Sequence, residues 1–563
     1  MRILSIFLTV AAIGIFADDE VSYNVTNGRD EEAYIFNHRL FFRVNRTSEP
    51  IEVDPNQANY FWQGFLGFYN DFHYGYWWSD DSNYLVYVSF DMRLVKNVSW
   101  NLYKDKQSYP EVVQQPYWKP FEDIPPYTIS IWNLKTQTVK RIPFEKFKNH
   151  NGSLYFVKEI TTYEIDDDKQ KFLIRLNNKF WNELVFVSCD FETAECQLLF
   201  EYKFSPKLYI SYMFYSCQIH QNRYYLLLPL EFENEGNSYQ QIASYPLNEP
   251  SSEPRFEMRQ PYDVYKFKIN DTTVTFNAFS RTPFINDTLE MQLGSNEKPR
   301  CVKCPKLYSN DFLHFGKVPL GNGYEGLYKL FLPKNIKNKK VPLHVYVYGG
   351  PEFFEVESKE NDNDENEINF LTRNNQVARL YIDGRGSGRR GWKYRSAIYG
   401  RLGTVDAQDQ ISVTQYILRK YSDILDERRV LVEGWSYGGV MALSIVEQAP
   451  KGLFKCAIAG APVTNYNYYH IEYTLTYMGN ATANEYLDLT DNLENFKSTR
   501  LLLQHGMADD NVHFQNSAIL IEKLHKAKID FDLMIYPNSD HKISITRKQF
   551  NFENNCLGIY PSY

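Results

Sequence analysis

The chain has 563 residues, enough for two or more domains. It is 43% hydrophobic and 23% charged, the balance of a globular protein. A formal net charge of −8 without a long basic block argues against nucleic acid and anionic membrane surfaces as partners.

The N-terminus reads as a secretory signal. Arg2 precedes an apolar run from Ile3 to Phe16, followed by Ala17 and the acidic Asp18-Asp19-Glu20. The run is short for a bilayer span of about 20 residues. Residues 1–17 are therefore expected to be a signal peptide cleaved after Ala17. The alternative is an uncleaved signal-anchor. Seven Asn-x-Ser/Thr sequons, at Asn24, Asn45, Asn97, Asn151, Asn270, Asn286 and Asn480, agree with a glycosylated, secreted protein.

From about Gly28 to Gly321 the pattern is β, in keeping with 44 Tyr and 39 Phe, which favour strands. Runs such as Tyr84–Val88, Thr128–Trp132, Phe172–Leu176, Leu184–Val187 and Tyr224–Leu228 recur between turn-rich segments. Many short strands without helices predict a sandwich, barrel or propeller, and no strict repeat chooses among them.

The chain has seven cysteines, and an oxidising compartment favours pairing. Cys189 and Cys196 flank Asp190–Glu195 and read as a hairpin disulfide. Cys301-x-x-Cys304 could signal zinc or redox chemistry, but no second Cys/His pair stands at zinc spacing, so a local disulfide is expected. No metal and no cofactor are called for.

From about Tyr324 the texture changes. Leu343–Tyr348, Val377–Ile382, Arg429–Glu433, Cys456–Gly460, Arg500–Gln504 and Phe531–Tyr536 read as buried strands. Val405–Tyr421, Met441–Gln448 and Phe514–Ala527 read as helices between them. This alternation predicts a mainly parallel sheet covered on both faces. Glu355–Glu367 is acidic and reads as a solvated loop. The resulting division is 18–323 all-β and 324–563 α/β.

Within the α/β part, Val430–Glu433 runs into Gly434-Trp435-Ser436-Tyr437-Gly438-Gly439. A strand, Gly-x-Ser-x-Gly and a helix form a nucleophile elbow, which stands the serine at a helix N-terminus. Its partners should follow in the order Asp, then His. Asp509 and Asp510 follow the strand ending at Gly506, and His541 follows the last strand. Both clusters lie past strand C-terminal ends, where ligands bind in such sheets. The residues alone do not choose between Asp509 and Asp510.

These motifs, with Asp383-Gly384-Arg385-Gly386-Ser387-Gly388 and His505-Gly506-Met507-Ala508-Asp509-Asp510-Asn511-Val512-His513-Phe514, resemble the dipeptidyl peptidase IV family of the prolyl oligopeptidase group. The likeness is dense from about Val341 to Cys556 and loose from about Asn59 to Cys304. It implies a C-terminal α/β-hydrolase domain and an N-terminal β-propeller, with Trp77-Trp78-Ser79 as a blade strand. The family's propeller has eight blades. The roughly 290 residues here suit about six at 40–45 each, so an incomplete propeller is expected, from a compact variant or a truncated sequence.

The resemblance assigns Ser436, Asp509 and His541 as the catalytic triad. It assigns the Tyr348 hydroxyl, in Val347-Tyr348-Gly349-Gly350-Pro351, as an oxyanion donor beside the Tyr437 backbone N–H. Val463, Tyr466, Tyr469 and Tyr473, with Tyr437 and Val512, match its proline pocket, Tyr466 standing where tryptophan is usual. Asn511 matches the residue that binds the preceding substrate carbonyl. Cys456 and Cys556 match its tail disulfide, which leaves Cys217 over.

The family clamps the substrate's free amine with adjacent glutamates shortly after a tryptophan. Here Trp62 is followed by Gln63-Gly64-Phe65-Leu66-Gly67, with no acid before Asp71. The leading expectation is a secreted serine peptidase releasing X-Pro or X-Ala dipeptides with weakened amine recognition, and the resemblance implies a homodimer. The alternatives are a hydrolase or endopeptidase of altered substrate range, and a poorly active binding or decoy homologue. Non-catalytic relatives lose the serine that this chain keeps.

Overall fold

The computed structural model describes residues 25–26, 32–45, 47–64, 75–143, 155–165, 169–210, 216–250, 252–295, 297–333, 336, 339–358, 377–482, 485–489, 492–543 and 547–559. The expected signal peptide, Asn24, Asn151, Asp71 and most of the acidic loop lie outside them. The chain divides into two compact units. One is Met1–Lys203 with Asn248–Ser252; the other is Phe204–Leu247 with Glu253–Tyr563.

The first unit contains three antiparallel sheets of four or five strands, spanning 25–52, 61–141 and 156–203. In the second sheet, Tyr84–Asp91 pairs with Tyr127–Asn133 so that Ile129 faces Val88 and Ile131 faces Val86. Ala33, Ile35, Leu40 and Phe42 of the first sheet pack on Tyr76, Leu85, Tyr87 and Trp132 of the second. Burial of facing apolar sheet surfaces, at roughly 25 cal/mol per Å², holds such a stack together. Cys189 and Cys196 are cross-strand partners and form a disulfide.

Asn97–Leu102 and Glu111–Pro116 pair only with each other, as a two-stranded ribbon. The ribbon takes up chain that the blade arithmetic gave to a sheet. Among the described residues there are accordingly five blade-like sheets, where about six were expected. This is a propeller-like all-β region.

The second unit holds the other two such sheets, spanning 217–256 and 264–303. Tyr225, Leu227 and Ile242 of one pack on Phe267, Val274 and Phe276 of the other. Cys301 and Cys304 are bonded, and Cys217 lies half-buried outside the three disulfides.

The same unit contains an eight-stranded sheet. Its strands are β1 (Leu313–Gly321), β2 (Tyr324–Phe331), β3 (Val341–Tyr346), β4 (Ala378–Asp383), β5 (Leu425–Trp435), β6 (Cys456–Gly460), β7 (Arg500–Gly506) and β8 (Asp532–Tyr536). The spatial order is β1-β2-β4-β3-β5-β6-β7-β8. β1, β2 and β4 pair antiparallel, and every pairing from β4 to β8 is parallel. β6 is buried throughout, as the all-apolar run of a doubly covered strand requires.

The sheet begins at Leu313, ahead of residue 324. Gly321 pairs with Tyr324 across Asn322-Gly323, both at positive φ, so β1 and β2 form a tight two-residue hairpin. The helices are α1 (Trp392–Arg395), α2 (Val405–Lys420), α3 (Tyr437–Gln448), α4 (Ile471–Met478), α5 (Gln515–Lys526) and α6 (Arg547–Leu557). Three of these, α1, α4 and α6, are additions to the sequence reading. A disulfide joins Cys456 at the start of β6 to Cys556 on α6, and Phe552 and Leu557 pack beside it.

Candidate active site

β5 ends at Trp435 and α3 begins at Tyr437, so Ser436 is the whole turn between them. Its φ of 60° and ψ of −119° are strained for a side-chain-bearing residue. Close backbone approach explains why glycines flank it. A Cβ on Gly434 would stand 2.1 Å from the Gly438 carbonyl oxygen, and one on Gly438 would stand 2.2 Å from that of Val347. The Ser436 N–H donates to the Gly460 carbonyl at 2.8 Å, which fixes the turn on β6.

Asp509 follows β7 and His541 follows β8. His541 Nδ1 lies 2.8 Å from Asp509 Oδ2 and donates to it. Asp509 Oδ1 accepts from the N–H groups of Asn511 and Val512, at 3.0 and 2.7 Å. Those two backbone donors hold Asp509 rather than Asp510 toward the imidazole. The indole N–H of Trp435, adjacent to Ser436, donates to the His541 carbonyl at 3.0 Å. The nucleophile turn and the histidine loop are thereby tied directly.

His505 is a member of this network that the sequence reading did not single out. Its Nε2 donates to the Val512 carbonyl at 2.7 Å and lies 3.2 Å from Asp509 Oδ2, and its Nδ1 accepts from Ser517 Oγ at 2.6 Å. Its place within His-Gly-x-Ala-Asp, four residues before Asp509, was the available signal.

Burial alone would favour a protonated Asp509. The charge of His541 and the hydrogen bonds from His505 and His541 outweigh it and hold the carboxyl well below the usual range. For His541, burial opposes the cation, but Asp509, with Asp510 and Asp540 beyond, raises its pKa above the ordinary value. An imidazole so biased accepts a proton readily.

Tyr348 lies one residue past Val347, whose N–H donates to the Glu433 carbonyl on β5. The Tyr348 ring is half-buried, 4.5 Å from Phe353 and 6.2 Å from Tyr437 between centroids. Desolvation, with Glu355 nearby, pushes its phenol up to about 12, so it remains a proton donor at neutral pH.

Val463, Tyr466, Tyr469 and Val512 are buried, and Tyr473 and Asn511 are half-buried. The rings of Tyr469 and Tyr473 meet edge-on at 5.4 Å. The Tyr469 hydroxyl donates to Asn511 Oδ1 at 2.9 Å and so orients that amide. The Tyr437 hydroxyl donates to Asp406 Oδ2 at 3.0 Å, a partner on α2 that the sequence reading did not name.

Gln63 lies in the other unit. It is fully buried, accepting from the Leu40 N–H and donating to the Asp54 carbonyl and Gln57. Of the sequons, Asn45, Asn97, Asn270 and Asn480 are exposed and Asn286 is half-buried. No helix among the described residues is long and apolar enough to cross a membrane.

The β1-β2-β4-β3-β5-β6-β7-β8 sheet with a serine elbow after β5 and a paired Asp and His after β7 and β8 defines the α/β-hydrolase class. Residues 364–557 match the prolyl oligopeptidase family, and residues 30–312 match the dipeptidyl peptidase IV N-terminal region. Dipeptidyl peptidase family member 1 of Caenorhabditis elegans is 36% identical over 560 residues, covering 85% of this chain and 69% of that protein. Dipeptidyl peptidase 4 of Bos taurus is 40% identical over 249 residues, covering 42% of this chain and 30% of its own. The crystal structure of Porphyromonas gingivalis dipeptidyl peptidase 4 matches with a TM-score of 0.76 at 18% identity, over 94% of this chain and 80% of that one. The chain belongs to the dipeptidyl peptidase IV family of serine-type peptidases.

Proposed function

We propose that this chain is a secreted serine peptidase that cleaves peptides after proline or alanine, with Ser436, Asp509 and His541 as its triad. The observation that carries the reading is the Asp509–His541 hydrogen bond, tied through Trp435 to a serine in a strained elbow. Ser436 Oγ attacks the scissile carbonyl. His541 takes its proton and returns it to the leaving amine, while Asp509 orients the ring and stabilises its cation. The Tyr437 N–H and the Tyr348 hydroxyl hold the oxyanion. Val463, Tyr466, Tyr469, Tyr473, Val512 and the Tyr437 ring form the proline pocket, which suits a compact ring lacking an N–H. Asn511 holds the preceding substrate carbonyl. Exposed Asn45, Asn97, Asn270 and Asn480 carry glycans on the secreted protein.

Recognition of the free amine is weakened, because Trp62 is followed by Gln63-Gly64-Phe65-Leu66-Gly67, with no acid before Asp71 where the family has adjacent glutamates. An ammonium without its carboxylates loses roughly 3–5 kcal/mol. That is about 10²- to 10⁴-fold in kcat/KM. Fluorophosphonate should label Ser436, and Ser436→Ala should abolish labelling and turnover. Labelling that persists in the variant refutes the nucleophile. H-Gly-Pro and N-blocked Gly-Pro reporters should be cleaved with similar, low kcat/KM at pH 8. A strong preference for the free amine would restore a full dipeptide ruler; a preference for the blocked reporter would favour the altered-substrate hydrolase.

A further inference from the structure

Asp406 stands in the first turn of α2, buried, beneath the residue that follows the nucleophile. Its Oδ2 accepts from the Tyr437 hydroxyl at 3.0 Å and from the Gly403 N–H at 3.1 Å. Its Oδ1 is buried and has no hydrogen-bond partner. Gln410, one helical turn along the same face, donates its Nε2 to the Ile382 carbonyl at 2.9 Å, which turns its Oε1 the other way. That Oε1 is likewise buried without a partner. Both side chains line one small cavity, together with Gly349, Phe353 and Met441. An unmatched buried acceptor costs about 1–3 kcal/mol, so a proton taken up on Asp406 Oδ1 would relieve that cost beside the cavity.

We infer that Asp406 is a positioning residue of the specificity pocket: its Oδ2 clamps the Tyr437 ring, and a proton taken up on Oδ1 toward Gln410 loosens that clamp. The inference rests on the reading of Tyr437 as a wall of the proline pocket. Tyr437 is 3% exposed, and its ring is held by α3 behind it, by the Tyr348 ring at 6.2 Å and by this hydroxyl contact with Asp406. Ionised, Asp406 receives a charge-assisted bond; protonated, it offers a neutral one about half as strong.

The surroundings support titration in the working range. Burial raises the Asp406 carboxyl to about 6, with the Gly403 N–H and the Tyr437 hydroxyl opposing the rise. Tyr437 from α3 and Tyr466 from the turn after β6 face it as neutral phenols, both raised by burial and by Asp406 itself. Arg385, in the segment after β4, is the nearby cation. Asp409 on α2 pairs with it at 2.5 Å, so its charge is largely spoken for.

The test compares reporters with proline and with alanine at the cleaved position. Proline packs its ring on the Tyr437 wall and alanine reaches it less, so the ratio of their kcat/KM values reads the clamp. Protonation of His541 affects both reporters equally and cancels in the ratio. Asp406→Ala and Tyr437→Phe should each lower the ratio about tenfold, the scale of one hydrogen bond to a charged group. The double variant should lower it no further, because both changes remove the same contact. Asp406→Asn, whose amide can donate to Gln410 and still accept from Tyr437 as the protonated acid does, should hold the ratio at the wild type's low-pH value, between those of Asp406→Ala and the ionised wild type. In the wild type the ratio should fall as the pH drops through about 6, and in Asp406→Asn it should be flat.

An unchanged ratio in Tyr437→Phe, additive losses in the double variant, or a pH-dependent ratio in Asp406→Asn each overturns the clamp while leaving the peptidase reading intact. A wild type that takes up fluorophosphonate yet cleaves neither reporter overturns the peptidase reading, and the clamp with it.

Discussion

Replacement of Arg395 by methionine should destabilise the second unit by about 3–5 kcal/mol. Arg395, at the end of α1, has a fully buried guanidinium. It donates to Gln240 Oε1, in one blade-like sheet of this unit, at 2.7 Å and to Asp263 Oδ2, just ahead of the next, at 3.1 Å, and lies 3.5 Å from Glu352. The side chains of Asp263 and Glu352 are 1% and 0% exposed, so removing the cation leaves two buried carboxylates without its charge. Asp263 keeps the Gln240 and Gly391 N–H donors, at 2.8 and 2.9 Å, which puts its share at the low end. With an m of about 3 kcal/mol/M, the urea midpoint should drop by roughly 1–1.7 M. Adding Asp263→Asn and Glu352→Gln removes the buried charges and should recover at least half of the loss. A midpoint for Arg395→Met equivalent to less than about 1 kcal/mol from wild type would refute the reasoning, as would a triple variant weaker than the single one.

Asp509→Asn should lower kcat by about 10⁴-fold, since the amide cannot satisfy both the imidazole N–H and two backbone N–H donors. The wild-type kcat/KM should rise with pH to an inflection above 6.5, as neutral His541 accumulates, and the inflection should move down in the variant. Asp509 has a depressed pKa in the fold, so its pairing contributes stability that is full above the ordinary carboxylate range and is lost progressively as the pH falls through that range toward the depressed value. Replacing Cys456 and Cys556 by serine opens a closure of 100 residues and should cost up to ~4.7 kcal/mol, read as a midpoint shift with labelling of Ser436 retained. Gly434→Ala should abolish labelling, because the new methyl meets the Gly438 and Val347 carbonyl oxygens at 2.1 and 2.5 Å, and both are backbone.

The elbow was legible because strand, Gly-x-Ser-x-Gly and helix are contiguous, and the central strands because doubly covered strands are apolar on both faces. The choice between Asp509 and Asp510 was not a matter of residue type. It depends on where the Asn511 and Val512 N–H groups point, which is conformation. Arg395 was not singled out from the sequence, because its partners Gln240 and Asp263 lie 155 and 132 residues away. Asp406 and Gln410 were not singled out within the expected helix, because their burial depends on what packs over α2. The start of the sheet was missed because the helix-rich texture begins after β1 and β2, although Asn322-Gly323 marked their turn.

Three glycines join functions that the chain order keeps apart. Gly434 and Gly438 admit the Val347 carbonyl, and so bring the Tyr348 loop against the elbow. Gly439 admits the Gly460 carbonyl and Pro462, the residue before Val463 of the pocket. The strained φ of Ser436 is sustained because backbone packs on both sides of it, one side carrying Tyr348, the proposed oxyanion donor, and the other the loop proposed to form the proline pocket. A side chain at any of the three would displace the nucleophile together with one of those loops, so losses of rate and of selectivity should arrive together there. Asp406 differs in kind. It reaches the proposed pocket through the Tyr437 hydroxyl rather than through the backbone around Ser436, so its replacement should change selectivity while the elbow stays in place.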